Sequence, residues 1–165
     1  MGRRLLAGVA LVALAGAASA LAAGPATPRA DQLAIKSLLG RIGAPDLALV
    51  PTRLPAHFAF ESFSVRGSPV GLEISLADQR FLRTPTEARL HEINLATAYF
   101  DGGLARCSSS SRKTLRIRSM TVYSDKRSVW RCLRTSRGRI VKASAHGPLA
   151  NTALATLVAS ERPVR

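Results

Sequence analysis

Val70, Leu72, Ile74 and Leu76 alternate with Gly71, Glu73, Ser75 and Ala77. A strict period of two commits the backbone to a strand with one buried face. Just upstream, Phe58 and Phe60 fall on one side of an extended run, and Phe63 and Val65 fall on the other. One extra residue near Glu61-Ser62 restores them to a common face, so the pattern predicts a β-bulge there. Arg66-Gly67-Ser68-Pro69 is a turn between the two runs, and the pair predicts a hairpin.

The same signal recurs downstream. Thr114–Tyr123 predicts a strand with a bulge at Ser119, and Ser128–Thr135 a second. Arg139–Ala145 predicts a third, with turns at Ser124–Arg127 and Ser136–Gly138. Glu87–Phe100 reads as helix or strand. Strand is preferred, because His91, Ile93, Leu95, Thr97 and Tyr99 alternate with smaller or polar residues. Phe81 and Leu82 are expected to pack within an irregular stretch. Asp31 is placed to cap a helix over Gln32–Arg41, and Pro148–Glu161 carries an apolar helical face stopped by Pro163. Short turns between strands and helices at the ends imply an α+β fold. The expectation is an N-terminal helix, a curved antiparallel sheet of about five or six strands, and a C-terminal helix packed on one sheet face. The expected core is Phe58, Phe60, Leu72, Ile74, Ile117, Val122, Trp130, Leu149 and Leu157.

The chain starts with Arg3-Arg4, an uncharged Ala- and Leu-rich run from Leu5 to Ala23, and the exits Ala18-Ser19-Ala20 and Ala20-Leu21-Ala22. These are the parts of a secretory signal peptide. Residues 1–22 are therefore read as a Sec-type leader, 23–30 as a flexible linker and 31–165 as a single secreted domain. The alternative is an uncleaved N-terminal membrane anchor, since a spanning helix needs about 20 apolar residues. Ala and Gly dominate this run, which favours cleavage. The arginine pair lacks the flanks of a twin-arginine signal.

Export changes the reading of the charge. The formal net charge is +14, and loss of Arg3 and Arg4 reduces it to +12. Arg106, Arg112, Lys113, Arg116, Arg118, Lys126, Arg127, Arg131, Arg134, Arg137, Arg139 and Lys142 fall within one segment, with Asp125 as its sole acid. Such a block attracts polyanions. Outside the cell the partners in reach are anionic lipid, cell-wall polymer or an acidic protein. Nucleic acid is disfavoured by compartment and by the scarcity of stacking aromatics. Arg116, Arg118, Arg131, Arg134, Arg139 and Lys142 are the candidate anion-binding residues if they converge on one exposed sheet face. A compositional reading competes with this, because Arg, Ala, Gly and Pro all have GC-rich codons.

Cys107 and Cys132 are the only cysteines. In an oxidising compartment they are expected to form a disulfide between a serine-rich exposed loop and the middle strand of the meander. A closed loop of about 26 residues is worth roughly 3–4 kcal/mol in the chain-entropy model. His57, His91 and His146 are scattered, there is no Gly-x-Ser-x-Gly elbow, and no phosphate loop or dinucleotide fingerprint occurs. No catalytic residue, cofactor or metal is assigned. Among the sparse central acids Glu61, Glu73, Asp78, Glu87, Glu92 and Asp101, Glu61 and Glu73 could face each other across the first hairpin as a carboxylate pair for glycoside hydrolysis, but a surface pair balancing nearby arginines is the preferred reading. The function expected is a non-catalytic binding or accessory domain. The alternatives are a small exported hydrolase and a structural protein whose arginines are compositional.

Met120-Thr-Val-Tyr-Ser-Asp, Val129-Trp130-Arg131 and Ser160-Glu-Arg-Pro163, with Pro51-Thr-Arg-Leu-Pro55 upstream, resemble an uncharacterised group of bacterial extracytoplasmic domains with a lipoprotein-carrier-like curved sheet. The resemblance implies a half-barrel of antiparallel strands against helices, and binding or sensing rather than catalysis. It carries over no functional residue, and the cysteine pair and arginine load depart from its pattern.

Overall fold

A computed structural model describes residues 26–67, 69–81, 91–109 and 113–165. The expected leader lies outside them, as do Leu82, Glu87 and Arg112.

The described chain is α+β, with three α-helices and a seven-stranded antiparallel sheet that does not close. Helix α1 spans Arg29–Arg41, followed by a short 3-10 turn at Pro45–Leu47 and strand β1 at Leu49–Pro51. Strands β2 (Phe58–Gly67) and β3 (Val70–Asp78) form the expected hairpin. Strand β4 (Glu92–Tyr99) is followed by helix α2 (Gly103–Ser109). Next come β5 (Lys113–Ile117), β6 (Met120–Ser124), β7 (Ser128–Arg134) and β8 (Ile140–His146). Helix α3 (Asn151–Ser160) and β9 (Glu161–Pro163) close the chain. The large sheet runs β2-β3-β4-β8-β7-β6-β5, and β1 and β9 pair as a separate two-stranded ribbon.

Register explains the alternations. Phe60 faces Leu76 and Ser62 faces Ser75, so Glu61 is the extra residue of the bulge. Phe63 and Val65 thereby return to the face of Leu72 and Ile74. Across the sheet that face continues through Ile93, Leu95 and Thr97, then Ala143 and Ala145, then Val129 and Val122. Helix α3 packs on it from above β5 to β8 and buries Leu154, Leu157 and Val158. Helix α1 contributes Ile35 and Leu39 to the same core. Of the expected core, Phe58, Leu72, Ile74, Val122, Trp130 and Leu157 are buried, and Phe60, Ile117 and Leu149 are partly buried. Trp130 belongs to a second cluster on the opposite sheet face, with Cys107 and Ile140.

Five expectations need correction. Helix α1 starts at Arg29, so Asp31 lies within its first turn and does not cap it. The last residues assigned to the linker are held: Thr27 is buried, its hydroxyl donates to the Pro51 carbonyl, and Gln32 donates to the Thr27 carbonyl. The single strand Thr114–Tyr123 is two strands. Arg118-Ser119 is a two-residue hairpin turn, with Arg118 at φ 55°. A left-handed residue opening a two-residue loop suits the twist of a hairpin, and here arginine stands where glycine is the usual choice. Cys107 sits in a helix, not in an exposed loop. Finally, Phe81 is exposed and stacks on His91 at 3.8 Å.

Candidate anion-binding surfaces

The six candidate cations separate by strand parity. Arg116 pairs with Thr121, Arg134 with Ile140 and Lys142 with Cys132. These registers put Arg116, Arg134 and Lys142 on the sheet face opposite helix α3, the outer face. Arg116 and Arg134 are exposed, and the Lys142 ammonium lies 4.7 Å from the centre of the Trp130 ring. Arg139 leaves the β7–β8 turn and stacks over Tyr99, 3.2 Å from the ring centre. Arg118 occupies the β5–β6 turn.

Arg131 does not join them. It pairs with Ala143 and shares the core face with Val129 and Leu133, so it is buried, at 5 % exposure. Alternation alone placed it with those two apolar neighbours. Its guanidinium donates to the Glu161 carbonyl oxygen at 2.8 Å and reaches the Met120 sulfur at 3.3 Å. The Glu161 carboxylate is 4.0 Å away and accepts no hydrogen bond from a described residue. Burial therefore dominates that carboxyl and pushes it up to about 8, against a smaller opposing pull from Arg131. The Arg131 guanidinium is itself shifted downward by burial, partly offset by Glu161.

The remaining acids of this half do little to neutralise it. Asp125 accepts from the backbone N–H groups of Arg127 and Ser128 and from the Ser128 hydroxyl, and these bonds hold its carboxyl below the usual range. It is committed to the β6–β7 turn. Among the described residues, the ion pairs are Arg66–Glu73, Arg80–Asp78 and the long Arg131–Glu161 contact.

Two grooves border this region. One, of about 400 Å³, lies between the Thr52–Pro55 segment, the β5–β6 turn, helix α3 and Arg162 of β9. Leu54, Ile117, Met120 and Leu157 give it apolar walls, and Arg53, Arg118 and Arg162 add charge. Thr52 pins one wall, because its hydroxyl donates to the Ser160 carbonyl. The second, of about 440 Å³, lies where β6 and β7 diverge, since only Tyr123–Trp130 and Ser124–Val129 pair between them. Met120 borders both. Sequence reasoning missed the first groove because its walls come from three segments far apart in the chain. It also passed over Arg53 and Arg162, which lie outside the basic block.

The disulfide is formed, with an S–S distance of 2.08 Å. It ties α2 to β7 over Trp130, whose indole N–H donates to the Cys107 carbonyl at 3.0 Å. A disulfide suits an oxidising compartment. No helix among the described residues is long and apolar enough to cross a membrane.

The carboxylate and histidine groupings weighed from the sequence can be placed only among the described residues. The hairpin register sets Glu73 opposite Ser64, and Glu73 pairs with Arg66, so Glu61 and Glu73 do not face each other. His57, His91 and His146 come to one end of the sheet, beside the termini of β2, β4 and β8. Neither groove includes a histidine. Asp78 at that end is held by Arg80, which lowers its carboxyl. Among the described residues, no cluster of His, Cys, Asp and Glu has the makings of a metal site. No family model, curated protein or solved structure matches the chain.

Proposed function

We propose that this chain is an exported, non-catalytic binding domain that engages an anionic envelope surface through the outer sheet face. The observation that carries this reading is the absence of compensation. Arg116, Arg134 and Arg137 are exposed without a carboxylate partner among the described residues, while the one acid of the segment is spent on a turn. Uncompensated guanidinium groups suit phosphate and carboxylate through paired hydrogen bonds. The leader, the curved half-barrel form and the likeness to bacterial extracytoplasmic domains belong to this same reading. The dispersal of the six candidates over two faces and two turns leaves Arg116, Arg134 and Lys142 on the outer face, which α2 partly covers over Trp130, with Arg137 in the turn that follows Arg134.

The test is co-sedimentation of the mature protein with phosphatidylglycerol vesicles at increasing salt. Binding should weaken steeply with salt and be lost in the combined Arg116→Glu, Arg134→Glu, Arg137→Glu variant. These three are chosen because none of them stacks on an aromatic ring. Binding that ignores salt, or survives the triple reversal, would overturn the outer-face reading.

A further inference from the structure

The 400 Å³ groove differs in chemistry from the outer face. Its walls are apolar where it is deep: Leu54 and Leu157 are buried, and Ile117 and Met120 are half-buried. Three exposed arginines stand on it from three different elements: Arg53 after β1, Arg118 in the β5–β6 turn and Arg162 in β9. None of the three reaches a carboxylate within 4.0 Å among the described residues. Arg162 donates to the Ala159 and Glu161 carbonyls through one terminal nitrogen, which leaves its second terminal nitrogen without a described partner. Nearby Glu161 does not face them: its carboxyl is buried in the interior beside Arg131, and burial raises it to about 8.

A second feature bears on this place, one that it shares only with His57 (φ 66°) among the described non-glycine residues. Arg118 holds a left-handed backbone, φ 55°, which costs an L-residue with a Cβ appreciable strain. A hairpin turn that needs this conformation is best served by glycine or asparagine. Arginine there is a local cost that the turn itself does not require, and it sets a guanidinium at the groove. Strain of this kind concentrates where a side chain is used.

From these observations we infer that the groove is a binding site for an amphiphilic organic anion, with its charged head on Arg53, Arg118 and Arg162 and its apolar body against Leu54, Ile117, Met120 and Leu157. The volume falls within the range of small-molecule sites, about 300–1,000 Å³. Phosphate and carboxylate heads share the chemistry that would be recognised, and the apolar walls select against bare inorganic anions. The site is separate from the outer face, so each can be lost without the other.

Isothermal titration of the mature protein with decyl phosphate below its micelle concentration tests this, with decanoate, decanol and inorganic phosphate as comparisons. Decyl phosphate should bind at least about tenfold more tightly than decanol or inorganic phosphate. The comparison with decanoate tells which head is preferred. Arg118→Glu and Arg53→Glu should each weaken decyl phosphate by about tenfold or more. Ala153→Trp, which fills the groove from helix α3, should weaken it with the thermal transition retained. The outer-face triple reversal should leave this affinity within about twofold, since those arginines do not line the groove. Equal binding of decyl phosphate and inorganic phosphate, or decyl phosphate affinity unchanged by Arg118→Glu and Ala153→Trp together, overturns the groove site and leaves the outer-face reading standing. Vesicle binding that fails while decyl phosphate binds overturns only the outer-face reading.

Discussion

Arg131 and Glu161 make the sharpest case at the scale of single residues. Two ionisable groups are buried together, yet the guanidinium gives its short hydrogen bond to the Glu161 carbonyl and leaves the carboxylate oxygens without partners. A buried carboxylate so placed is better neutral. Its folded-state value of about 8 lies above the ordinary 4.5. Between those two pH values the folded chain keeps a proton that the unfolded chain has released. Stability from this group is therefore full below the lower value, falls as pH rises through the window, and is flat above it. Glu161→Gln stays neutral throughout. Urea unfolding of both proteins from pH 5 to 8 should show the parent losing stability relative to Glu161→Gln, by on the order of a few kcal/mol. Parallel slopes would mean that Arg131 holds the carboxylate ionised. Arg118 gives a second expectation. Arg118→Gly removes the left-handed penalty, so the variant should be more stable by about 1 kcal/mol in the same assay. In titration it should bind decyl phosphate less well, an exchange of stability against function. Arg131 also shows how a pattern can be legible and still be misused. Its alternation with Val129 and Leu133 put it on the buried face. Only the weight given to a cluster of positive charge moved it to a surface.

Among the elements, β-strands were the most legible and the short helix the least. The hairpin β2–β3 and its bulge followed from the period of two, because only an extra residue at Glu61 brings Phe63 and Val65 back beside Leu72 and Ile74. The β5–β6 turn looked like a bulge because Arg118-Ser119 carries no glycine or asparagine to announce it. Helix α2 was hidden for a different reason. Gly103–Ser109 has only seven residues and serine at its end, too little local propensity to form alone. What holds it is tertiary: the Cys107–Cys132 bond, the Trp130 indole bond to Cys107 and burial of Cys107 against Ile140. Removing the bond should therefore act on α2 first. The Cys107→Ser, Cys132→Ser double variant should lose roughly 3 kcal/mol in urea unfolding. Its Trp130 fluorescence should shift to the red in the native state, as the helix that covers the ring loosens. A stability loss without a spectral shift would place the effect in the unfolded chain and leave α2 docked.

The whole molecule carries a charge that its structure does little to offset. The chain has a formal net charge of +14. The ion pairs among the described residues engage few of those cations, and exposed pairs such as Arg66–Glu73 are worth little in any case. The excess lies mostly in β5 to β8, the half of the sheet that also carries both grooves. Like charges gathered there repel one another more in the compact state than in the expanded chain. Raising ionic strength from 0.01 M to 0.15 M shortens the screening length from about 30 Å to about 8 Å. Since repulsion outweighs the few attractive pairs, added salt should stabilise the fold. A gain of about 1 kcal/mol corresponds to a rise in Tm of roughly 2–4 °C for a chain of this size. Sodium chloride titration under a thermal scan reads this directly. The triple reversal Arg116→Glu, Arg134→Glu, Arg137→Glu lowers the formal charge by six and should shrink the salt-induced rise. It should also raise Tm at low salt, because it introduces carboxylates into a field of unpaired arginines. A protein whose Tm falls with salt, or whose reversal variant keeps the full salt response, would show that the clustered arginines are too well solvated to repel. The proposed anion binding at the outer face would then need a source other than stored repulsion.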